Sequence, residues 1–389
     1  MARYRRSPRL IVALGSTGFL LFGARDGAIG VAWPSMRASF GQPLSALGLL
    51  LLASLAGYLL ASTASGSIGP LIPVGRQLVV GSCFAILGLA VFGFAGQWTF
   101  LLGAACLLGV ATGIVDVNLN AYLALHHRVA TMNLVHAGWG VGTTAGPLLV
   151  TLSLAFNGSW RPAYVVLLVC EAVLLGGFIA TRGSWKAPGV PGAGSFPRRA
   201  PSGHGSKLQL AATLVLFFAY TGMELGTGVW AYTFLVSGHG VRPSLAGIAV
   251  AAYWGALTGG RILASILGNR LTAQALLDVC LGFTMAGAVL VLLYPGTLPA
   301  CAGLAIAGAG LGPVFPTLVS LTPARVGSLR TPAVIGYQLS AAALGGSVLS
   351  AAIGVALQEY GPRALGAIVP VGVAVLIVMR GMTRRLEKG

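Results

Sequence analysis

Apolar stretches of roughly 18 residues or more recur along almost the whole chain, and each could cross a hydrocarbon core about 30 Å thick as a helix. Only 8% of the 389 residues are charged, against about a quarter in an ordinary soluble domain. The stretches do not alternate with period two, so helices that satisfy their own backbone hydrogen bonds are favoured over a barrel. The sequence therefore predicts an all-α membrane protein.

We predict twelve transmembrane helices, with ends defined to within several residues. They cover residues 10–32, 44–66, 77–96, 98–125, 131–155, 162–182, 208–237, 242–266, 271–293, 298–322, 328–357 and 362–381. The first follows the basic segment MARYRRSPR and lacks a small-residue cleavage site. We therefore expect it to be retained rather than removed as a signal peptide.

The net charge of +17 is distributed unevenly across the predicted membrane. Of the 24 lysines and arginines, two fall within spans (Arg25 and Arg261), four lie on the side away from the termini, and the remaining 18 share the side of both termini. The positive-inside rule then places both termini in the cytoplasm, for a protein of the plasma (inner) membrane. The basicity reflects topology and attraction to lipid headgroups, so we expect no nucleic-acid partner.

The chain is predicted to consist of two related halves. Residues 183–207 are rich in Pro, Gly and Ser and are interpreted as a cytoplasmic linker between bundles 1–182 and 208–389. The segment DGAIGV that begins at Asp26 aligns with ELGTGV that begins at Glu224, an offset of about 198 residues, half the chain. Such a duplication predicts two pseudo-symmetric six-helix bundles, typical of transporters with a site near the midplane.

Four of the seven acidic residues lie inside predicted spans: Asp26, Asp116, Glu171 and Glu224. An acid at a helix centre costs about 2.5–3.5 kcal/mol on insertion scales, so such acids usually face a bundle interior or a water-filled cavity. The alternative is that each reaches water at a helix end or pairs structurally with Arg25 or Arg261. We favour a functional role for Asp26, Asp116 and Glu224, and the structural alternative for Glu171.

Asp116 has the most polar surroundings of the four acids. Asn120 is four residues further on and so lies on the same helical face, whereas Asn118 is rotated by about 200° and is assigned to helix packing. A carboxyl group in such a low-dielectric site can carry a proton reversibly, which is the chemistry of a proton-coupled carrier. We predict Asp116 as the main proton-coupling residue, with Asp26 and Glu224 sharing that role.

A hydroxyl-rich solute is held by amides and carboxylates on its edges and by aromatic rings on its apolar faces. For each aromatic residue, a packing or interfacial role is the alternative. The candidate solute-binding residues are Asp26, Asn120, His136, Trp139, Glu224, Trp230, Tyr253, Trp254 and Gln338.

Cofactor and enzyme chemistry find no support in the sequence. The five cysteines all fall within apolar spans without a ligand cluster, so neither a metal site nor a cofactor is expected. No nucleophile stands beside a base in a recognisable motif, so we do not expect an enzyme. The glycines between Gly138 and Gly146 follow no strand, and close helix packing explains them better than a nucleotide loop.

Several of these pieces resemble the major facilitator superfamily across essentially the whole chain and, within it, the fucose permease-like branch. They are DVNLN at 116–120, the run from His136 to Pro147, Glu224 followed by Trp230, and Gly260 followed by Arg261. The resemblance implies sugar:cation symport with protons or sodium and alternating access of two halves. It also implies that the acids of the first and fourth helices, here Asp26 and Asp116, serve sugar binding and proton coupling.

The sequence also departs from the pattern of that family. The loop between the second and third helices keeps Gly75 and Arg76 but lacks the usual acid, and the acid expected after Arg261 is missing as well. Gly146 and Pro147 resemble, incompletely, a signature of drug antiporters. We therefore expect a monomeric carrier of a small polar solute, sugar or sugar-like, in the lipid bilayer. The alternative is a proton-driven exporter of a drug-like or amphipathic metabolite.

Overall fold

A computed structural model of the chain describes residues 8–68, 72–126, 129–185, 207–267, 271–294, 296–322 and 331–386. Every regular element within these ranges is a helix, as predicted. The α-helices are α1 (Pro8–Ser39), α2 (Leu47–Ile68), α3 (Val74–Phe94), α4 (Trp98–His126), α5 (Val129–Asn157), α6 (Arg161–Thr181), α7 (Lys207–Thr233), α8 (Pro243–Leu267), α9 (Ala273–Leu293), α10 (Thr297–Leu311), α11 (Val314–Ser320), α12 (Thr331–Tyr360) and α13 (Leu365–Leu386).

Short helical turns complete three of these elements. The 3₁₀ turns Leu44–Ala46 and Pro362–Ala364 precede α2 and α13, and the π-helical turn Phe234–Gly238 continues α7. Helices α10 and α11 belong to one span, Thr297–Ser320, in which Pro313 precedes α11. The helices thus supply the twelve predicted spans.

Eleven of these spans, within the described ranges, are long and apolar enough by composition to cross a membrane. Helix α8 is not among them, although its 25 residues are long enough for a 30 Å core. Helix α1 is longer than predicted, because it continues through Pro34 to Ser39. Transmembrane helices tolerate such prolines when neighbouring groups satisfy the backbone.

The chain divides into two compact units. The N-terminal unit comprises Met1–Gln42 and Leu49–Ala193, and the C-terminal unit comprises Pro43–Gly48 and Gly194–Gly389. In the first, α1 packs most extensively on α5, and α3 packs on α4 and α6. In the second, α7 packs on α12, and α9 packs on α10 and α13. The same pairs of spans contact each other in both units, which is the predicted pseudo-symmetry.

The predicted linker, 183–207, lies outside the described residues except at its two ends. Residues 183–185 follow α6, and α7 begins at Lys207.

Helices α1 and α5 approach each other until backbone touches backbone. A Cβ added at Gly142 would overlap the backbone oxygen of Leu20, and one added at Gly27 would overlap that of Thr143. Small residues at every fourth position allow this approach between membrane helices. The glycines that form the contact are Gly23 and Gly27 on α1 and Gly138, Gly142 and Gly146 on α5. The glycine-rich run of α5 is therefore a packing surface, as predicted.

Candidate functional site

A chain of hydrogen bonds runs through Asp116 and joins three helices of the N-terminal unit. The hydroxyl of Tyr58 on α2 donates to Oδ2 of Asp116 on α4 at 3.2 Å. The amide nitrogen of Asn120 donates to Oδ1 of Asp116 at 2.7 Å, and Nε2 of His136 on α5 lies 2.8 Å from Oδ1 of Asn120. We call these four residues the Asp116 chain. Both carboxylate oxygens of Asp116 thus accept a hydrogen bond.

The direction of each bond in the Asp116 chain follows from its donors. Asn120 uses its amide nitrogen on Asp116, so its carbonyl oxygen faces His136, which donates through Nε2. Turning the amide over would place its oxygen against an ionised carboxylate, so this orientation fits the charged form of Asp116. The hydroxyl of Tyr58, in contrast, can donate or accept. The Oδ2 side of the carboxyl group is therefore compatible with a bound proton, because Tyr58 can then accept the hydrogen bond instead of donating it.

Sequence reasoning missed Tyr58. It is the only tyrosine of α2 and follows Gly57, which packs against α4. The one aromatic residue in a helix of aliphatic and small side chains was the available signal. Asn118, assigned to packing, does donate to Oε1 of Gln77 on α3 at 2.9 Å and is buried.

Asp26 and Trp139 form a second contact, between α1 and α5. The indole Nε1 of Trp139 donates to Oδ2 of Asp26 at 3.0 Å. The side chain of Asp26 is exposed, although the residues on either side of it in α1 are buried. Trp139 is three residues after His136 and so shares its helical face. Helix α5 therefore supplies a partner to Asp26 and a partner to the Asp116 chain from one face.

Glu224, the residue that aligns with Asp26, lies in a different environment in the C-terminal unit. Arg261 on α8 donates from Nη2 to Oε1 of Glu224 at 2.9 Å, and the carboxyl side chain is only 4% exposed. The guanidinium also donates from Nε to the backbone oxygen of Gly312 at 2.9 Å. The hydroxyl of Tyr253 donates to the backbone oxygen of Glu224 at 2.7 Å. The acid is thus held in a buried ion pair.

The predicted aromatic residues of the C-terminal unit lie inside helix contacts. Trp230 is fully buried and donates from Nε1 to the backbone oxygen of Ser350 on α12 at 2.8 Å. Tyr253 and Trp254 are also fully buried, edge to face with ring centroids 5.1 Å apart. These contacts give all three rings a packing role, the alternative that the sequence left open.

Gln338 is likewise buried, and its amide group exchanges hydrogen bonds of 3.0–3.1 Å with the hydroxyl of Thr322.

The predicted site residues that take part in these contacts of the N-terminal unit are five: Asp26, Asp116, Asn120, His136 and Trp139. In the part of the chain that the structure describes, no three His, Cys, Asp or Glu residues are grouped so that they could hold a metal ion.

Solved structures share this fold over nearly their whole lengths. A mutant of the nucleoside transporter NupG gives a TM-score of 0.74 at 12% identity, covering 97% of this chain and 99% of that one. A bacterial homologue of the human lysosomal transporter Spinster, inward-facing and occupied, gives 0.72 at 16% identity, covering 100% and 98%. The E. coli fucose:proton symporter FucP, in a mutant form, gives 0.63 at 15% identity, covering 96% and 98%.

No curated protein matches the sequence significantly. A family model, in contrast, matches residues 15–350, which include all of α2 to α11 and most of α1 and α12. That model describes the Major Facilitator Superfamily. With its helical spans and pseudo-symmetric units, the chain belongs to the Major Facilitator Superfamily of membrane transporters.

Proposed function

We propose that this transporter is a secondary carrier that moves a small polar solute, a sugar or sugar-like compound, together with protons by alternating access. The observation that carries the proposal is the Asp116 chain, a carboxyl group inside a membrane bundle with both oxygens hydrogen-bonded. Among the solved structures that share the fold are a fucose:proton symporter and a nucleoside transporter, which agree with a small polar solute and, for the first, with protons as the coupling ion.

Asp116 is the proposed proton carrier. A charged carboxylate inside a membrane bundle is costly, and protonation removes that charge. Tyr58 can reverse its hydrogen bond when the proton arrives, while Asn120 and His136 keep the carboxyl group in place. The group can thus alternate between two protonation states without a rearrangement of its helices.

Asp26 and Trp139 are the proposed solute-binding pair. Asp26 is exposed, and only one of its oxygens is used by Trp139, so the carboxylate can accept further hydrogen bonds from the hydroxyl groups of a solute. The indole ring offers an apolar face of the kind that packs against a sugar ring. His136 and Asn120 are the proposed link between solute and proton carrier, because His136 shares the helical face of Trp139.

In the C-terminal unit, Glu224 enters the proposal only as one half of its ion pair. Its carboxylate becomes available to a proton when Arg261 leaves it, so any coupling through Glu224 requires exchange of that pair. Trp230, Tyr253, Trp254 and Gln338 are buried and are left out of the proposed binding set.

The proposed mechanism, alternating access, needs two halves that each move as a rigid body. We assign these to residues 1–182 and 208–389, joined by a linker at 183–207, in a monomer with both termini in the cytoplasm of an inner-membrane protein. The excess of lysine and arginine on the side of the termini supports this orientation.

The experiment begins with the solute. Purified protein is screened for thermal stabilisation by a panel of hexoses, pentoses and disaccharides at two pH values, with and without sodium. A stabilising sugar is then added to proteoliposomes that contain a pH-sensitive dye. We expect sugar-driven proton movement that Asp116→Asn abolishes and that the exposed-site variant Asp278→Asn retains.

Unchanged proton movement in Asp116→Asn would remove that residue from the proposed role. Stabilisation by amphipathic compounds rather than sugars, with protons moving against the compound, would establish the exporter instead. Sugar uptake that requires sodium and not a proton gradient would identify sodium, in place of protons, as the coupling ion.

A further inference from the structure

Arg25 and Asp26 are neighbours in α1, yet their side chains lie in different environments. Successive residues of a helix point about 100° apart. Asp26 is exposed, whereas Arg25 is only 8% exposed and extends into the N-terminal unit. Its Nη2 lies 3.4 Å from the hydroxyl of Thr112 on α4, and its guanidinium carbon lies 4.9 Å from the ring centroid of Phe22. Neither contact compensates its charge.

Glu171 on α6 is the acid that can compensate Arg25. It is 2% exposed and lies one helical turn before Leu174, on the part of α6 that packs against Gly18 of α1. An isolated charge at this depth would be very unfavourable, so each of the two needs the other.

Unpartnered polar atoms extend this pair into a buried cluster. Arg25 Nη1 and Glu171 Oε2 are both buried without a hydrogen-bond partner among the described residues. The hydroxyl groups of Tyr164, two turns before Glu171 on α6, and of Ser82 on α3, which packs on α6, are in the same condition. We call these four residues the Arg25 cluster. It gathers donors and acceptors from α1, α3 and α6 that can complete one another's hydrogen bonding.

We infer that Glu171 is the buried counter-ion of Arg25, and that this pair holds the guanidinium away from Asp26 and leaves the Asp26 carboxylate uncompensated. That this freedom serves solute binding rests on the proposed function. Glu171 is a positioning residue in this scheme, because it acts on Asp26 only through Arg25.

The C-terminal unit shows the contrasting arrangement. There the aligned acid, Glu224, is itself held by Arg261 at 2.9 Å and is buried. In the N-terminal unit the arginine, Arg25, pairs instead with a second acid, Glu171, and the aligned acid, Asp26, stays exposed. One extra buried carboxylate, Glu171, thus accounts for the difference between the two aligned positions.

A double-mutant cycle on the detergent-purified protein tests the pair. Arg25→Met and Glu171→Gln each leave a buried charge without its partner, and each is expected to lower Tm by about 5–10 °C. The double variant Arg25→Met/Glu171→Gln should lose less than the sum of the two. The matched cycle of Arg25→Met with Asp26→Asn should be additive. Additivity with Glu171, or coupling to Asp26 instead, would overturn the inference.

Some single variants could fail to fold, and recovery then replaces Tm as the readout. If the double variant yields monodisperse protein and a single variant yields none, that result shows the same coupling between Arg25 and Glu171. Absence of monodisperse protein in both the double variant and the charge-exchanged variant Arg25→Glu/Glu171→Arg would count against the pair.

The positioning role is tested by the chemical accessibility of Asp26. The protein is treated with a water-soluble carbodiimide and an amine, and the modification of Asp26 is followed by peptide mass spectrometry. In Glu171→Gln the guanidinium is expected to move to Asp26 and slow its modification by about tenfold. Removing Arg25 in the double variant should restore the rate, which a purely structural role would not do.

Unchanged labelling of Asp26 in Glu171→Gln would refute the positioning role, with labelling of the exposed Glu359 as the internal reference. Neither measurement uses transport, so these results are independent of whether a sugar and protons are the true cargo.

Discussion

Arg261 donates to Glu224 across 2.9 Å, and this ion pair ties α8 to α7 inside the C-terminal unit. The carboxyl side chain is 4% exposed and the guanidinium 31%. The same guanidinium donates to the backbone of Gly312, beyond the end of α10. One arginine therefore joins three spans of this unit, and its loss affects more than a single contact.

We predict that Glu224→Gln lowers the free energy of unfolding by about 3 kcal/mol, because it leaves Arg261 without its counter-ion in a low-dielectric site. The value lies at the lower end for buried pairs because Arg261 is partly exposed. Denaturation of the purified protein measures the change. Glu359→Gln, at an exposed position of α12, should change it by less than about 0.5 kcal/mol. Equal stability of the two variants would show that the ion pair contributes nothing.

A second prediction concerns the Asp116 chain. Asn120→Ala removes the 2.7 Å bond to Asp116 and the link to His136, so the carboxyl group loses its fixed orientation. Hydrogen bonds to charged groups contribute about 1.5–3 kcal/mol, so coupled proton uptake should fall by roughly 10- to 100-fold. Proton flux per folded molecule in proteoliposomes is the measurement.

Asn118→Ala is the matched control for that variant. Asn118 lies on the same helix but is buried against Gln77, so its replacement should lower stability and leave flux per folded molecule unchanged. If both variants lose flux equally, the effect comes from a general disturbance of α4.

A third prediction concerns the glycines between α1 and α5. Gly142→Ala places a methyl group against the backbone oxygen of Leu20, which cannot move aside as a side chain could. Overpacking should cost about 1–3 kcal/mol, more than alanine gains over glycine in helix propensity. Gly176→Ala on α6 has open space around the new methyl group and should be neutral or stabilising. Thermal denaturation of the two variants measures which effect is larger. A lower Tm for Gly142→Ala indicates that packing outweighs helix propensity, and a higher Tm would indicate the reverse.

A fourth prediction concerns pH and the loop that follows α7. The ring of His239 stacks on that of Tyr294 at 3.5 Å, and Arg363 donates to the adjacent backbone oxygen of Gly238. Burial, and then the positive charge of Arg363, lowers the pKa of His239 below its usual value. The folded protein therefore binds this proton less readily than the unfolded chain does. The stability associated with His239 is complete above about pH 6.5 and declines as the pH falls towards the lowered pKa.

His239→Phe keeps an aromatic ring in the stack and removes the titration. The difference in Tm between pH 5 and pH 7.5 should therefore be smaller in this variant than in the wild type. An identical difference in the two proteins would assign the acid sensitivity to other groups.

Much of the fold follows from the sequence because the membrane dictates it. Continuous apolar runs permit few structures other than helices in lipid, so the number and approximate position of the spans could be predicted. The end of α1 was predicted near residue 32, whereas the helix continues through Pro34 to Ser39, with Trp33 and Met36 fully buried.

The site was predictable where it depends on local helix geometry. Asp116 and Asn120 are four residues apart, and that spacing alone places them on one face. Tyr58 comes from another helix, and no spacing relates it to Asp116. Trp230 and Trp139 are both tryptophans in glycine-rich helices. Trp230, however, is buried against α12, whereas Trp139 donates a hydrogen bond to Asp26. Only the packing of the helices separates such cases.

The glycine contact between α1 and α5 has a consequence for motion. Two helices whose backbones interlock cannot slide or rotate independently, since every small displacement would drive a carbonyl group into a neighbouring Cα. The two helices therefore move together as one rigid body. Asp26 on one helix and Trp139 on the other keep their 3.0 Å separation during such travel. Under the proposed function, the geometry that this pair presents to a solute is then the same on either side of the membrane, and only access to it changes.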